Sequence, residues 1–133
     1  MNMTAATLAI DEYRSSGVLG NVERSDAHGL VSLLFKGAID HLLAANGYIE
    51  RKQIQEKTVR ISKAIAILDG LRSSLNLVEG GEIAQNLDDL YDYMQRQLVV
   101  ANADNNTSII DEVMGLLREI QEAWNMIPNE ARK

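Results

Sequence analysis

Apolar side chains recur every three to four residues along most of the chain, in four long stripes separated by short polar or glycine-containing breaks. This period matches the 3.6 residues per turn of an amphipathic helix, whereas the strict alternation that is typical of strands is almost absent. Each stripe is about twenty residues long, which is within the usual range for helices of globular proteins. The pattern therefore predicts four helices and an all-α fold.

The first predicted helix follows an N-cap signal at Ser25-Asp26 and ends at about Arg51. Its stripe consists of Leu30, Leu33, Leu34, Gly37, Ala38, His41, Leu42, Ala45, Tyr48 and Ile49. The second stripe consists of Ile61, Ala64, Ile65, Leu68, Leu71 and Leu75. We expect this second helix to end at Glu79-Gly80-Gly81, because two glycines permit a tight turn between helices.

The third predicted helix lies between the two glycines and a run of turn-forming residues at 102–106. Its stripe consists of Ile83, Leu87, Leu90, Tyr91, Met94, Leu98 and Ala101. Thr107 is the expected N-cap of the fourth helix, and Pro128 is expected to stop it. The fourth stripe consists of Ile109, Ile110, Val113, Leu116, Leu117, Ile120, Ala123, Trp124 and Ile127.

Short breaks between long helices place neighbours antiparallel, so residues 25–128 are predicted to form an up-down-up-down four-helix bundle. Residues 1–24 are predicted to be an N-terminal arm with a short helix, and residues 129–133 a polar tail. The first helix carries apolar residues beyond one bundle seam, among them Val31, Phe35 and Leu42. This surplus predicts a cover, which is the arm, a second copy of the chain, or the helix of a partner.

The length and composition of the chain exclude several classes of function. A chain of 133 residues is expected to form one domain, and its formal net charge of −6 disfavours binding to nucleic acid. The chain has no cysteine, which excludes disulfides and thiol catalysis. No apolar run approaches the ~20 residues of a membrane span, so we expect a cytoplasmic protein without membrane insertion.

Candidate chemistry is sparse. Asp88-Asp-Leu-Tyr-Asp92 matches the spacing that holds magnesium diphosphate in prenyl synthases, but a helical wheel places these carboxylates opposite the apolar stripe, on a solvated face. His28 and His41 lack the Glu-x-x-His pattern of di-iron bundles, so helix capping and a hydrogen-bonded boundary position are expected for them. With no phosphate-binding loop or nucleophile motif, we predict no catalytic, cofactor or metal site and no enzyme activity.

The sequence resembles the flagellin export chaperone (FliS) family along nearly its whole length. The similar segments are Leu34-Phe-Lys-Gly-Ala38, Ile61-Ser-Lys-Ala-Ile-Ala-Ile-Leu-Asp-Gly-Leu71, Gly80-Gly-Glu-Ile-Ala-Gln-Asn-Leu-Asp-Asp-Leu-Tyr-Asp-Tyr-Met94, Glu112-Val-Met-Gly-Leu-Leu117 and Glu122-Ala-Trp124. Ile10 and Tyr13 also fall at the family's spacing before Ser25. Ala27 and Lys36 depart from it, since proline and aspartate are usual at these positions.

The resemblance implies a type III export chaperone that binds the C-terminal helical segment of flagellin, prevents its premature polymerisation and delivers it to the export apparatus. An export-gate component or an anti-sigma factor is a further or alternative candidate partner. The unliganded chain is also compatible with a homodimer. We predict that the partner contacts apolar groups on the second to fourth helices, together with the arm. The predicted contact residues are Ile10, Tyr13, Ile67, Leu68, Leu71, Leu87, Tyr91, Tyr93 and Met94.

Overall fold

The computed structural model describes residues 27–75 and 77–127. Within these ranges the chain forms four helices, which are α1 (Ala27–Glu50), α2 (Ile54–Ser73), α3 (Leu77–Asp104) and α4 (Thr107–Asn125). The described residues contain no strand, which confirms the prediction of an all-α four-helix bundle. The division into an arm, a bundle and a tail stays a prediction, because residues 1–26 and 128–133 lie outside the described ranges.

Neighbouring helices of the bundle are joined by connections of a few residues. α1 and α3 each pack against both α2 and α4. This arrangement places α1 diagonally opposite α3, and it leaves the starts of α1 and α3 at the same pole as the ends of α2 and α4. The opposite pole contains the ends of α1 and α3 and the starts of α2 and α4.

The hydrophobic core runs along the axis of the bundle and takes residues from all four helices. Its largest fully buried side chains are Phe35, Leu42, Ile61, Ile67, Leu68, Leu71, Met94, Leu98, Ile110, Val113 and Leu117. Small residues such as Ala38, Ala45 and Ala64 are also completely buried, and they allow α1 and α2 to approach closely. Within the described residues, α2 and α4 cover much of the wide apolar arc that the sequence shows on α1.

Polar contacts close the pole at which α2 and α4 begin. Lys57 is almost fully buried, and its ammonium group donates a hydrogen bond of 2.7 Å to the carbonyl of Asn102 in the last turn of α3. Burial lowers the pKa of Lys57. The Asn46 amide donates to the carboxylate of Asp111 at 2.8 Å, which links α1 to α4. A cation at the C-terminal carbonyls of a helix is electrostatically favourable, so Lys57 stabilises the end of α3.

The boundaries of α2 and α3 differ from the sequence prediction. α2 ends at Ser73, and α3 begins at Leu77, ahead of the glycine pair that was expected to form the connection. Gly81 instead interrupts α3 with φ 59° and ψ −135°, a conformation that glycine adopts without steric cost. Gly80 is equally restricted, because a Cβ atom there would lie 2.5 Å from the Cβ of Ala84. The glycines therefore kink a helix after its first turn.

The connection between α3 and α4 is also shorter than predicted. α3 continues to Asp104, so the residues expected to break the stripe at 102–104 are helical. Asn105 adopts a positive φ of 52°, and Asn106 is the N-cap of α4, because its side chain accepts a hydrogen bond from the amide of Ile109. The expectation that Thr107 caps α4 is wrong. Asn106 takes this role since its amide oxygen reaches the third residue of the helix.

Candidate functional site

An apolar groove lies at the pole where α1 and α3 begin and α2 and α4 end. Its inner part is a cavity of about 470 Å³. The lining residues are Val31, Phe35, Leu71, Ser74, Leu75, Gly80, Ile83, Ala84, Leu87, Tyr91, Ile120 and Trp124. A second depression of about 480 Å³ shares Ile83, Leu87, Ile120 and Trp124 and adds Glu119, Ala123 and Ile127. Because four residues belong to both, the two depressions form one continuous surface, which we call the apolar groove.

Helical spacing explains the two long walls of the groove. On α3, Ile83, Leu87 and Tyr91 follow one another at intervals of four residues and so lie on one face. On α4, Ile120 and Trp124 have the same spacing. The Ile83 side chain is 74% exposed, and it extends the apolar face that Leu87 and Tyr91 form on α3. Contiguous exposed apolar faces are typical of interaction surfaces, which makes the groove the candidate functional site.

One end of the groove is held by a contact between α1 and α4. The imidazole of His28 stacks on the indole of Trp124, with the ring centroids 4.4 Å apart and the planes 8° from parallel. His28 Nε2 donates to the Trp124 carbonyl at 2.8 Å, and Trp124 Nε1 donates to the His28 carbonyl at 3.1 Å. This reciprocal pair fixes the Trp124 ring in the groove wall. The capping role expected for His28 is thus confirmed at the C-terminal end of another helix, α4.

A polar network joins α2 to α3 behind the groove. Arg72 donates to both carboxylate oxygens of Asp88, at 2.8 and 3.1 Å, and also to Asp92 and Gln95. Gln95 in turn donates to the carboxylate of Asp69 at 2.6 Å. Since Leu71 and Leu87, the neighbours of Arg72 and Asp88, line the groove, the ion pair holds the end of α2 against the kinked start of α3.

The Arg72–Asp88 pair is expected to make stability depend on pH. The hydrogen bond from Arg72 lowers the pKa of Asp88 below its ordinary value of 3.8. A carboxylate whose pKa is lowered in the folded state stabilises the fold at every pH above its ordinary pKa. This stabilisation is lost as the pH falls through the lowered pKa. Asp88→Asn is therefore expected to reduce the free energy of unfolding by about 1 kcal/mol at pH 7, and by much less near pH 2.

Urea unfolding at the two pH values measures this difference. Asp89→Asn is the matched control, because the Asp89 carboxylate is exposed and accepts a hydrogen bond of 3.0 Å from Gln85 on its own helix, so its loss leaves the contact between α2 and α3 intact. Equal stabilities of Asp88→Asn and the wild type at pH 7 would show that the ion pair contributes nothing.

Three of the predicted contact residues line the apolar groove, and three others are buried in the core. Leu71, Leu87 and Tyr91 belong to its wall. Ile67, Leu68 and Met94 are buried in the core, with at most 1% of each side chain exposed. The prediction that these three residues lie at the groove edge is wrong. α2 and α3 each pack against two neighbouring helices, so each buries a wider face than contact with a single helix would bury.

The remaining predicted residues lie elsewhere. Tyr93 faces α4 and is half-buried, and its hydroxyl donates to Glu112 at 2.8 Å. This hydrogen bond raises the pKa of Tyr93. Ile10 and Tyr13 fall outside the described residues, so the predicted role of the arm is untested. Contact of any of these residues with a partner stays a prediction.

Several groove residues were not predicted as contacts from the sequence. They are Val31, Phe35, Ser74, Leu75, Gly80, Ile83, Ala84, Glu119, Ile120, Ala123, Trp124 and Ile127. The available signal was the apolar ladder at intervals of four residues on α3 and α4, which continues to the ends of both helices. Where an apolar stripe reaches the end of its helix, a neighbouring helix need not extend far enough to cover it. The stripes of α3 and α4 both reach helix ends at the same pole.

The acidic cluster of α3 is structural in the described part of the chain. Asp88 and Asp92 bind Arg72, and Asp92 also accepts from Arg96 at 3.0 Å. Within residues 27–75 and 77–127, no three histidine or carboxylate side chains are grouped in a way that could hold a metal ion. His41 accepts a hydrogen bond of 3.2 Å from Arg60, as expected for a boundary histidine. None of the described helices has the length and apolar character needed to cross a membrane.

Comparison with known proteins identifies the family. The family model described as flagellar protein FliS matches residues 9–131, which is nearly the whole chain. The chain belongs to the FliS family. It is 43% identical over 122 residues to the flagellar secretion chaperone FliSB of Pseudomonas aeruginosa, covering 92% of this chain and 97% of that relative. It is 42% identical over 123 residues to the flagellar secretion chaperone FliS of Salmonella typhimurium, covering 92% and 91%.

A third relative is the flagellar secretion chaperone FliS of Vibrio cholerae, which is 36% identical over 122 residues and is covered to 90% of its length. These matches confirm the resemblance seen in the sequence. The relatives are named as chaperones and not as enzymes, so the prediction that the chain is not an enzyme is also confirmed.

Proposed function

We propose that this FliS-family chain is a cytoplasmic chaperone that binds the C-terminal helical segment of flagellin in the apolar groove, prevents its premature polymerisation and delivers it to the export apparatus. The observation that carries the proposal is the apolar groove that the described residues form at one pole of the bundle, with Ile83 74% exposed on its rim. The relatives named as flagellar secretion chaperones support a partner among exported flagellar proteins.

The shape and chemistry of the groove fit an amphipathic helix. Its α3 wall extends from Ile83 to Tyr91, which corresponds to a length of about 12 Å and about two turns of a bound helix. Apolar residues at i, i+3, i+4 and i+7 of such a helix would contact both walls at once. Helix capture by an apolar groove requires no reaction, which agrees with a chaperone family.

Capture would also explain how polymerisation is blocked. A segment that packs against other subunits in a filament must expose apolar side chains before assembly, and the groove would shield those side chains from further copies. A segment that is disordered until it binds loses conformational entropy on ordering, so apolar burial has to supply most of the affinity. The groove offers this burial along both of its walls.

Calorimetric titration with the last forty or so residues of flagellin, from the organism that encodes this chain, tests the proposal. We expect one peptide per chain and a dissociation constant in the micromolar range or below. A control peptide carries serine at the apolar positions of one helical face and should not bind. No heat and no co-elution on size exclusion at micromolar concentrations would refute the proposal, and self-association alone would favour the homodimer.

We further propose that the N-terminal arm covers the groove in the absence of flagellin. Free energy that holds such a lid closed is subtracted from the affinity for the partner. Replacing Ile10 and Tyr13 together with alanine is therefore expected to strengthen flagellin binding several-fold in the same titration. If the double variant binds more weakly, the arm is part of the binding site and not a lid.

A further inference from the structure

Three side chains with a polar hydrogen line the inner cavity of the apolar groove, and two of them are already paired within the chain. The Ser74 hydroxyl donates to the carbonyl of Leu71 at 2.7 Å. The indole nitrogen of Trp124 donates to the carbonyl of His28 at 3.1 Å. Neither group has a free hydrogen to offer a partner. Tyr91 is the remaining side chain with a polar hydrogen among those that line the inner cavity.

The Tyr91 hydroxyl has no hydrogen-bond partner among the groups that the structure describes. Tyr91 is only 3% exposed, and burial raises its pKa to about 12 without a contribution from any hydrogen bond. In the described residues, Asn46 Oδ1 is the one side-chain oxygen or nitrogen that is both fully enclosed and unpaired. The Tyr91 hydroxyl is therefore not fully enclosed, and the cavity that Tyr91 lines is the inner part of the groove.

Such a hydroxyl is satisfied by water while the groove is open. When an apolar helix fills the groove and displaces that water, the hydroxyl becomes an unpaired buried polar group unless the incoming helix provides a partner. We propose that Tyr91 is a specificity-determining residue whose hydroxyl hydrogen-bonds to a neutral polar side chain, Asn, Gln, Ser or Thr, on the buried face of the helix that occupies the groove. This inference rests on the function proposed above.

The surroundings of Tyr91 favour a neutral partner over a charged one. Its neighbours in the groove wall, including Leu87 and Leu71, are apolar, so an ionised side chain would lose its hydration without gaining a counter-charge. A neutral amide or hydroxyl loses less hydration free energy on burial, and it regains a hydrogen bond from Tyr91. Helices that place alanine or leucine at this position leave the Tyr91 hydroxyl unpaired, and the groove discriminates against them by that penalty.

The variant Tyr91→Phe removes only the oxygen and leaves the ring in place. In calorimetric titration with the C-terminal forty or so residues of flagellin, we expect about tenfold weaker binding than for the wild type. The melting temperature of the free chain should be unchanged or higher, because the lost hydroxyl has no intramolecular partner. Tyr48→Phe is the matched control, since Tyr48 is on α1, lies against Arg51 and is absent from the groove lining.

Peptides in which single polar residues are changed to alanine identify the group that meets Tyr91. One such change should weaken binding to the wild type about tenfold and have little effect on Tyr91→Phe, as expected for two groups that interact directly. Equal or tighter binding by Tyr91→Phe would overturn the inference, and so would a clear loss of stability in the free variant. Failure of the wild type to bind the flagellin segment would instead refute the proposed function, and with it the role of the Tyr91 hydroxyl.

Discussion

Replacing Ile67 with aspartate is expected to lower the free energy of unfolding by about 4 kcal/mol or more. Ile67 is 1% exposed and belongs to the core that all four helices share. The substitution removes apolar contacts and places a carboxylate where neither water nor a cation can reach it, at a cost of about 4 kcal/mol or more. This is a large part of the 5–15 kcal/mol that typically stabilises a domain. Far-UV circular dichroism and urea unfolding measure the effect.

Two further variants show whether burial is the cause. Val59→Asp adds the same charge to the same helix at a side chain that is 52% exposed, and it should change stability by less than about 1 kcal/mol. Ile67→Val removes one methyl group and should cost about 1 kcal/mol. A folded Ile67→Asp variant of near-normal stability would show that Ile67 is accessible, and would restore the sequence-based prediction that it meets a partner at the groove surface.

Replacing Ile83 with aspartate is expected to weaken flagellin binding by about 2 kcal/mol, or about 30-fold, and to leave the fold intact. The Ile83 side chain belongs to both parts of the apolar groove, so an occupant would bury it. The Ile83 side chain is 74% exposed on the groove rim, so a carboxylate at this position remains hydrated in the folded chain. Calorimetry with the flagellin segment measures the affinity, and thermal unfolding measures the fold.

Val99→Asp is the matched control for this experiment. Val99 is also on α3 and is 60% exposed, but it is absent from the groove lining. The control carries the same added charge and should bind flagellin as the wild type does. If both variants lose affinity to the same extent, the loss comes from the net charge of the chaperone and not from the groove.

The helices could be predicted from the sequence because long stripes with a period of 3.6 residues specify them directly. The exact extent of burial could not be predicted in this way. Ile67 lies at the edge of the α2 stripe, and only the presence of neighbours on both sides of α2 decides that it is enclosed. Periodicity describes one helix at a time, whereas burial depends on how many helices surround it.

The position of a helix end depends on which of several neighbouring residues makes the capping contact. Asn106 and Thr107 are both good N-cap residues, and the choice between them depends on which side chain reaches the third amide of the helix in the folded chain. Gly80 and Gly81 signal a break in regular structure but do not distinguish a loop from a kink within a helix. Sequence reasoning therefore finds the break and leaves its form to tertiary packing.

The apolar groove was predictable only in part. Leu71, Leu87 and Tyr91 were recognised as candidate contacts, but the α4 wall and the α1 contribution of Val31 and Phe35 were not. Which seam of a bundle opens depends on the relative placement of helix ends that are distant in sequence. The His28–Trp124 pair, whose members are 96 positions apart in the sequence, is a determinant of that kind.

We propose that the helical segment of flagellin occupies the groove between the walls that α3 and α4 form. Trp124 is the only tryptophan of the chain and lies in the groove wall, so its fluorescence reports on the site directly. Titration with a flagellin C-terminal peptide that contains no tryptophan should shift the Trp124 emission to shorter wavelength, because the bound helix excludes water from the indole. The shift should saturate at one peptide per chain. Unchanged emission under conditions where calorimetry shows complete binding would place the flagellin site elsewhere on the protein.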